Sequence, residues 1–297
     1  MAFDLRILKL APFMPHSLEV VQRALPPGSI DQAVYDTIQK RYARVHDAEI
    51  QRLEYKVDGL RVTGAAVLPK TIEAKRHPLL VYNRGGTGDY GMLVLGVMMR
   101  YLLPFAQQGY LVFGSNYRGN DGGDGAEEFG GADINDVLTL LDIARHHPGW
   151  DGKNAFMFGG SRGGMMTYLA IKAGAELNAA ATFGAPSDAR ALAAERPDME
   201  MKVFARRIPE YADDPDGAFA TRSALAWPEM LQRVPLLLMH GLSDETVRPS
   251  HTQRLGEALA THPDSKTVLY EGGNHSLSTH AAAMLQETKD WFALHRR

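Results

Sequence analysis

The chain has 297 residues, 45% hydrophobic and 23% charged, the balance of an ordinary globular protein. Its 32 basic and 35 acidic residues leave a net charge of −3 with no clustered Lys/Arg run, which argues against nucleic acid or an anionic membrane as partner. The absence of cysteine excludes disulfides, thiolate metal sites and a cysteine nucleophile. No stretch is long and apolar enough to cross a bilayer, and Asp4, Arg6 and Lys9 break the apolar run that a secretory signal needs. A cytoplasmic location is the expectation.

Residues 1–47 read as an N-terminal extension packed on the main body, with a break at Leu25-Pro26-Pro27-Gly28 and a helix over residues 31–42. Two β-rich runs, Ala48–Val57 and residues 60–68, flank Asp58-Gly59, a hairpin signal. Strands and helices then alternate, the pattern of a mostly parallel sheet covered on both faces. Strands are expected at residues 78–82, 110–116, 154–158, 179–183, 235–240 and 267–270, and helices at 92–108, 132–146, 165–171 and 279–295. The stretch 185–233 interrupts this rhythm with mixed charge and with Pro197, Pro209, Pro215 and Pro228. It reads as a partly helical, cap-like excursion over the carboxyl ends of the strands, where ligands of open α/β sheets bind. The whole of 48–297 is expected to form one α/β domain.

The chain is organised around Gly159-Gly160-Ser161-Arg162-Gly163-Gly164, placed between an apolar strand and a helix without a polar face. A strand that turns at once into a helix leaves little room at the corner. Glycines let the two elements approach, and the serine is held in a strained backbone conformation with its hydroxyl exposed. Beneath it, the helix start presents free N–H groups to an anion. A serine hydroxyl is a poor nucleophile without a base, and the base needs an orienting acid. Asp244 follows the apolar strand and His275 follows the last one, so both fall on the rim that carries Ser161, in the order Ser, Asp, His. Glu245 could replace the acid, and His240 or His280 the base; Asp188, Asp213, Asp214 and Asp216 lie in the excursion instead. An oxyanion needs preorganised donors. The Arg162 N–H is one, and Gly86 or Gly85 in the loop Asn83-Arg84-Gly85-Gly86-Thr87 supplies the other.

Two competing patterns are weaker. Gly86, Gly88 and Gly91 form a Gly-x-Gly-x-x-Gly, but the next strand ends in Asn116-Tyr117-Arg118 rather than an acid, leaving only Arg118 as a partner for a 2′-phosphate. The loop from Asp121 to Asp124 resembles a calcium loop without its twelve-position pattern. No cofactor and no metal are expected.

From about residue 55 onward the chain resembles the catalytic domain of prolyl-oligopeptidase-type serine peptidases, which include acylaminoacyl and dipeptidyl peptidases. The resemblance is carried by Asn116-Tyr117-Arg118-Gly119, by Glu128-Phe129-Gly130-Gly131-Ala132-Asp133-Ile134-Asn135-Asp136, by Gly160-Ser161-Arg162-Gly163-Gly164-Met165-Met166-Thr167, and by His240-Gly241 with Asp244. It implies an α/β-hydrolase fold with Ser161 as nucleophile, Asp244 as acid and His275 as base, acting through an acyl-enzyme on a small peptide or ester. The resemblance also places oxyanion donors at the Arg162 N–H and in the Arg84-Gly85-Gly86 loop. Two departures stand out. The stretch before the hydrolase pattern is too short for a β-propeller, and the early loop reads Asn83-Arg84-Gly85-Gly86 where such peptidases tend to have His-Gly-Gly-Pro or Tyr-Gly-Gly. Both point towards a general acyl hydrolase that favours esters or small amides. The function expected is a serine hydrolase of peptidase type, with a broad carboxylesterase as the alternative and a non-catalytic binding protein as the remote one.

Overall fold

In the computed structural model, residues 4–9, 17–24, 28, 30–70 and 75–297 are described. Leu25, Pro26 and Pro27 of the expected break lie outside them. Leu5–Lys9 forms a strand (β1) that the sequence pattern does not announce. Helices Leu18–Ala24 (α1) and Gln32–Ala43 (α2) follow, the second capped by Asp31, whose carboxylate accepts from the Val34 N–H at 2.8 Å. Ala48–Val57 (β2) and Leu60–Pro69 (β3) make the expected hairpin. Both turn residues, Asp58 and Gly59, have positive φ (52° and 80°), the conformation that a two-residue hairpin loop demands.

Six parallel strands come next: His77–Asn83 (β4), Leu111–Ser115 (β5), Trp150–Gly160 (β6), Ala179–Phe183 (β7), Leu236–Gly241 (β8) and Ser265–Tyr270 (β9). The nine strands form one sheet in the order β1-β2-β3-β5-β4-β6-β7-β8-β9, antiparallel among β1, β2, β3 and β5 and parallel from β5 onward. Strand residues alternate between two buried layers, as the two-residue period requires. Val81, Phe113, Met157 and Leu238 face one layer, while Leu80, Val112, Phe156 and Leu237 face the other.

The expected helix over 92–108 is Leu95–Val97 (α3) and Leu103–Ala106 (α4) joined by a π turn at Met98–Leu102. Ile134–Arg145 (α5) and Arg162–Lys172 (α6) cover the first layer. Ten residues of α6, from Arg162 to Ile171, are buried, which explains the missing polar face. The segment after β7 is mostly helical: Ala189–Glu195 (α7), Pro197–Met199 (α8), a π turn at Glu200–Phe204, Ala205–Arg207 (α9), Pro215–Arg222 (α10) and two 3-10 turns. Ser250–Ala258 (α11) and Ala281–Leu294 (α12) complete the chain, and Trp291 and Phe292 of α12 close the second layer. No described helix is long and apolar enough to cross a membrane.

Candidate active site

The carboxyl ends of β4, β6, β7, β8 and β9 lie side by side, and the loops that leave them carry the residues of interest. At the end of β6 the chain turns straight into α6. Gly163 is what permits this: a Cβ there would lie 1.9 Å from the Asn83 carbonyl oxygen at the end of β4. Ser161, at the corner, has φ 54° and ψ −128°, a region an L residue occupies at a cost of about 1–3 kcal/mol. The strain is held by the Ser161 N–H, which donates to the Phe183 carbonyl at 2.9 Å, and by the Ser161 carbonyl, which accepts from the Gly164 N–H at 2.9 Å.

Asp244 follows β8 and is buried. Its Oδ1 accepts from the backbone N–H groups of Thr246 (2.8 Å) and Val247 (3.0 Å). Its Oδ2 lies 2.7 Å from Nδ1 of His275 and 3.1 Å from Nε2 of His240. Burial by itself would raise the Asp244 pKa. The bonds from His240 and His275 and from the Val247 N–H outweigh it and hold the carboxyl well below the ordinary range. Nε2 of His240 also meets the Val247 carbonyl at 2.9 Å, an acceptor only, so this nitrogen carries a proton. His240, weighed from sequence as a substitute base, is therefore fully buried behind Asp244 and braces it. Room for the Asp244–His275 pair comes from Gly184, just after β7. It has φ 56°, and a Cβ there would sit 3.3 Å from His275 Nδ1 and 3.4 Å from Asp244 Oδ2.

The other candidates are engaged elsewhere. Glu245 is exposed, and His280 packs against the Tyr270 ring (5.3 Å between centroids). Asp188 and Asp214 cap α7 and α10, Asp216 pairs with Arg190, and Asp213 is exposed. Arg118 is held by Asp136 and Asp58 (each 2.8 Å), so its guanidinium is committed to carboxylates rather than left for a phosphate. Asp121 and Asp124 hold Arg52 and Arg61.

Ser161, Arg162, Gly86 and His275 line one cavity of about 410 Å³. Gly85 lies behind it, against the serine; the position its Cβ would take is 3.3 Å from Ser161 Cβ. Leu192, Met199 and Val203 of the helical segment form the opposite, apolar wall.

Behind Ser161 lies a buried ionic layer that sequence reasoning missed. The Arg162 guanidinium binds Glu127 and Asp133, donates to the Gly86 carbonyl at 3.0 Å, and stacks over Tyr117 and Phe129. Glu127 also takes Arg207 at 2.7 Å and the Gly88 N–H at 2.8 Å. Burial pushes the Glu127 pKa up, but Arg162, the Gly88 N–H and Arg207 prevail and keep the carboxyl below its usual value. Arg84, fully buried, donates to the carbonyls of Gly88 and Tyr90 (each 3.0 Å) and of Asn116 (2.7 Å), stapling the glycine loop from inside. This is the physical sense of the unusual Asn83-Arg84-Gly85-Gly86 sequence. Part of the layer lies in the stretch from Glu128 to Asp136 that carries the family resemblance, but nothing in the sequence pairs Asp133 and the neighbouring Glu127 with Arg162.

The prolyl oligopeptidase family matches residues 98–296. The uncharacterised peptidase YtmA of Bacillus subtilis is 32% identical over 225 residues, 74% of this chain and 84% of that protein. Among solved structures, the acylaminoacyl peptidase of Pyrococcus horikoshii matches with a TM-score of 0.68 at 21% identity, over 84% of this chain and 42% of that one. A puromycin-hydrolysing peptidase of Mycobacterium tuberculosis matches with 0.65 at 24% identity, over 79% and 37%. The chain thus spans about two fifths of those structures' length, with their α/β-hydrolase fold, and the described residues contain no propeller. By the family match and by its likeness to the Bacillus peptidase, the chain belongs to the prolyl oligopeptidase family and is an enzyme of its serine-hydrolase type.

Proposed function

We propose that the chain cleaves small peptides or esters through a Ser161–His275–Asp244 triad and an acyl-enzyme. The observation that carries the reading is the 2.7 Å bond between His275 Nδ1 and Asp244 Oδ2, in a cavity that His275 shares with the strained Ser161. Because ionised Asp244 accepts from Nδ1, the proton of a neutral His275 resides there and Nε2 is left as the base. Nε2 takes the Ser161 hydroxyl proton as Oγ attacks the carbonyl carbon. The new oxyanion is met by the Arg162 N–H, in the first turn of α6 where no intrahelical acceptor exists, and by the Gly86 N–H. Collapse breaks the bond to the amine or alcohol, which leaves with the proton returned by His275. Water then repeats the sequence on the acyl-enzyme, releasing the acid and restoring Ser161.

Within this reading residues 185–233 act as a cap-like wall, and residues 1–47 as an extension of the hydrolase body formed by 48–297. The small peptide or ester substrate is bound without cofactor or metal. The test is labelling with a fluorophosphonate probe together with turnover of matched p-nitrophenyl esters and aminoacyl p-nitroanilides. Ser161→Ala is expected to abolish labelling and to lower kcat by about 10⁴ to 10⁶ while the protein stays folded. More than a tenth of wild-type turnover in that variant would rule Ser161 out as nucleophile.

A further inference from the structure

The cavity beside Ser161 contains a cation that no counter-charge meets among the described residues. Arg196, between α7 and α8, lines the cavity and is half-buried, yet its side chain makes no ion pair or hydrogen bond among the described residues. Its neighbours are spoken for. Glu195 turns away to His251 (3.4 Å), Arg162 is bound by Glu127 and Asp133, and Lys202 pairs with Asp198 at 4.0 Å. The charged lining groups outside the triad are therefore two matched sets and one remainder, the Arg196 guanidinium. A guanidinium drawn partly out of water with no acceptor is an open demand for an anion. Its planar fork suits a carboxylate in particular. Leu192, Met199 and Val203, from the same segment, surround it with apolar surface.

Resting on the reading of this cavity as the active site, we infer that Arg196 anchors a carboxylate of the substrate, so that the preferred substrate is an apolar acyl compound or short peptide carrying one free carboxylate. Two sources share this chemistry: a carboxylate on the acyl side of the scissile bond, or one on the leaving group, such as a peptide C-terminus. Lys202 is a lesser contributor, because its side chain is 68% exposed and Asp198 lies 4.0 Å from it.

The test compares two substrate pairs, using the full chain. Mono-p-nitrophenyl suberate against p-nitrophenyl octanoate probes the acyl side, and p-carboxyphenyl against p-carbamoylphenyl octanoate probes the leaving side. In one pair the wild type is expected to favour the carboxylated member by about 10- to 100-fold in kcat/KM, mostly through KM, the range for a hydrogen bond to a charged group. Arg196→Gln should erase that ratio, Arg196→Lys should keep the charge but only part of the ratio, and Lys202→Gln should change it less than about threefold. The pair that responds identifies the side. Calorimetric binding of octanoate against octanamide to the Ser161→Ala protein gives a readout without turnover, and adding Arg196→Gln should weaken octanoate alone. If no ester is cleaved while octanoate binding still depends on Arg196, the catalytic reading fails and the anion site stands. Octanoate binding indifferent to Arg196, or a neutral preference in both pairs, would overturn the inference even with active enzyme.

Discussion

Two arginines face the same cavity from opposite walls and keep opposite company. Arg162, on the sheet side, is 2% exposed, held by two carboxylates and stacked on two aromatic rings. Arg196, on the helical side, is half-buried and unpaired among the described residues. The difference separates two jobs. The strand-end wall and the ionic layer behind it have their charges paired within the protein, with Arg207 of α9 completing the set, so the geometry is fixed before substrate arrives, as electrostatic preorganisation requires. The wall made by α7, α8 and the turn after them leaves polar and apolar surface to be completed by a ligand. On the proposed mechanism, chemistry belongs to the first wall and selectivity to the second, and variants on either side should fail differently.

The sharpest break in the fixed wall is Asp244→Asn. Asparagine keeps the shape but cannot hold the His275 Nδ1 proton as an acceptor-only carboxylate does, and it turns an N–H group towards one of the two imidazoles. Loss of about 10⁴ in kcat, with KM within a few-fold, is expected on a good ester. A loss below tenfold would mean that His275 is oriented by something other than Asp244. The wild-type carboxyl titrates far below the working range, so Asp244 should stay ionised on acidification from pH 7 to 5.

Glu127→Gln attacks the same wall from behind, where three arginines would lose their common carboxylate. Breaking a buried pair in this way costs about 3–5 kcal/mol, to be read from urea unfolding. The folded pKa of Glu127 lies below its unfolded value. Its contribution is therefore complete above the unfolded value of about 4.3 and is lost as the pH falls through the lower folded value. The stability gap between wild type and Glu127→Gln should thus be level from pH 7 to 5 and narrow below about pH 4. A gap that widens on acidification would contradict the assignment of Glu127 as the ionised hub.

How much of this was legible follows from what kind of signal each part leaves. The parallel strands announce themselves as apolar runs, and the hairpin as Asp58-Gly59, because burial and positive φ act on the residues that show them. Ser161, Asp244 and His275 could be singled out because each falls in the turn or loop that leaves the carboxyl end of a strand. β1 was missed because Leu5-Arg6-Ile7-Leu8-Lys9 is too short to fix a period, and Ile7 next to Leu8 breaks the alternation. The π turn at Met98–Leu102 was missed because a change in hydrogen-bond register leaves the apolar spacing nearly intact. The roles of Glu127, Gly184 and His240 depend on partners 35, 91 and 4 residues away in sequence, and that of Arg196 on having no side-chain partner among the described residues. Only the folded arrangement tells a committed arginine such as Arg162 from a waiting one.

The smallest effect sharpens the description of the selective wall. Leu192 and Met199 both line the cavity, but Leu192 is 2% exposed and belongs to the core, so truncating it would cost stability as well as selectivity. Met199 is half-buried and only packs against the core, which makes Met199→Ala the cleaner probe. Removing its thioether lengthens the apolar side of the cavity without touching a hydrogen bond. In a series of p-nitrophenyl esters of increasing acyl length, the optimum should move to a longer chain, since each extra methylene that finds apolar contact is worth about 0.8 kcal/mol, or about fourfold in kcat/KM. Fluorophosphonate labelling of Ser161 should be unchanged, because the strand-end wall does not depend on this side chain. A chain-length profile that superimposes on the wild type's would mean that the acyl group runs along another wall and that α8 shapes the cavity without contacting it.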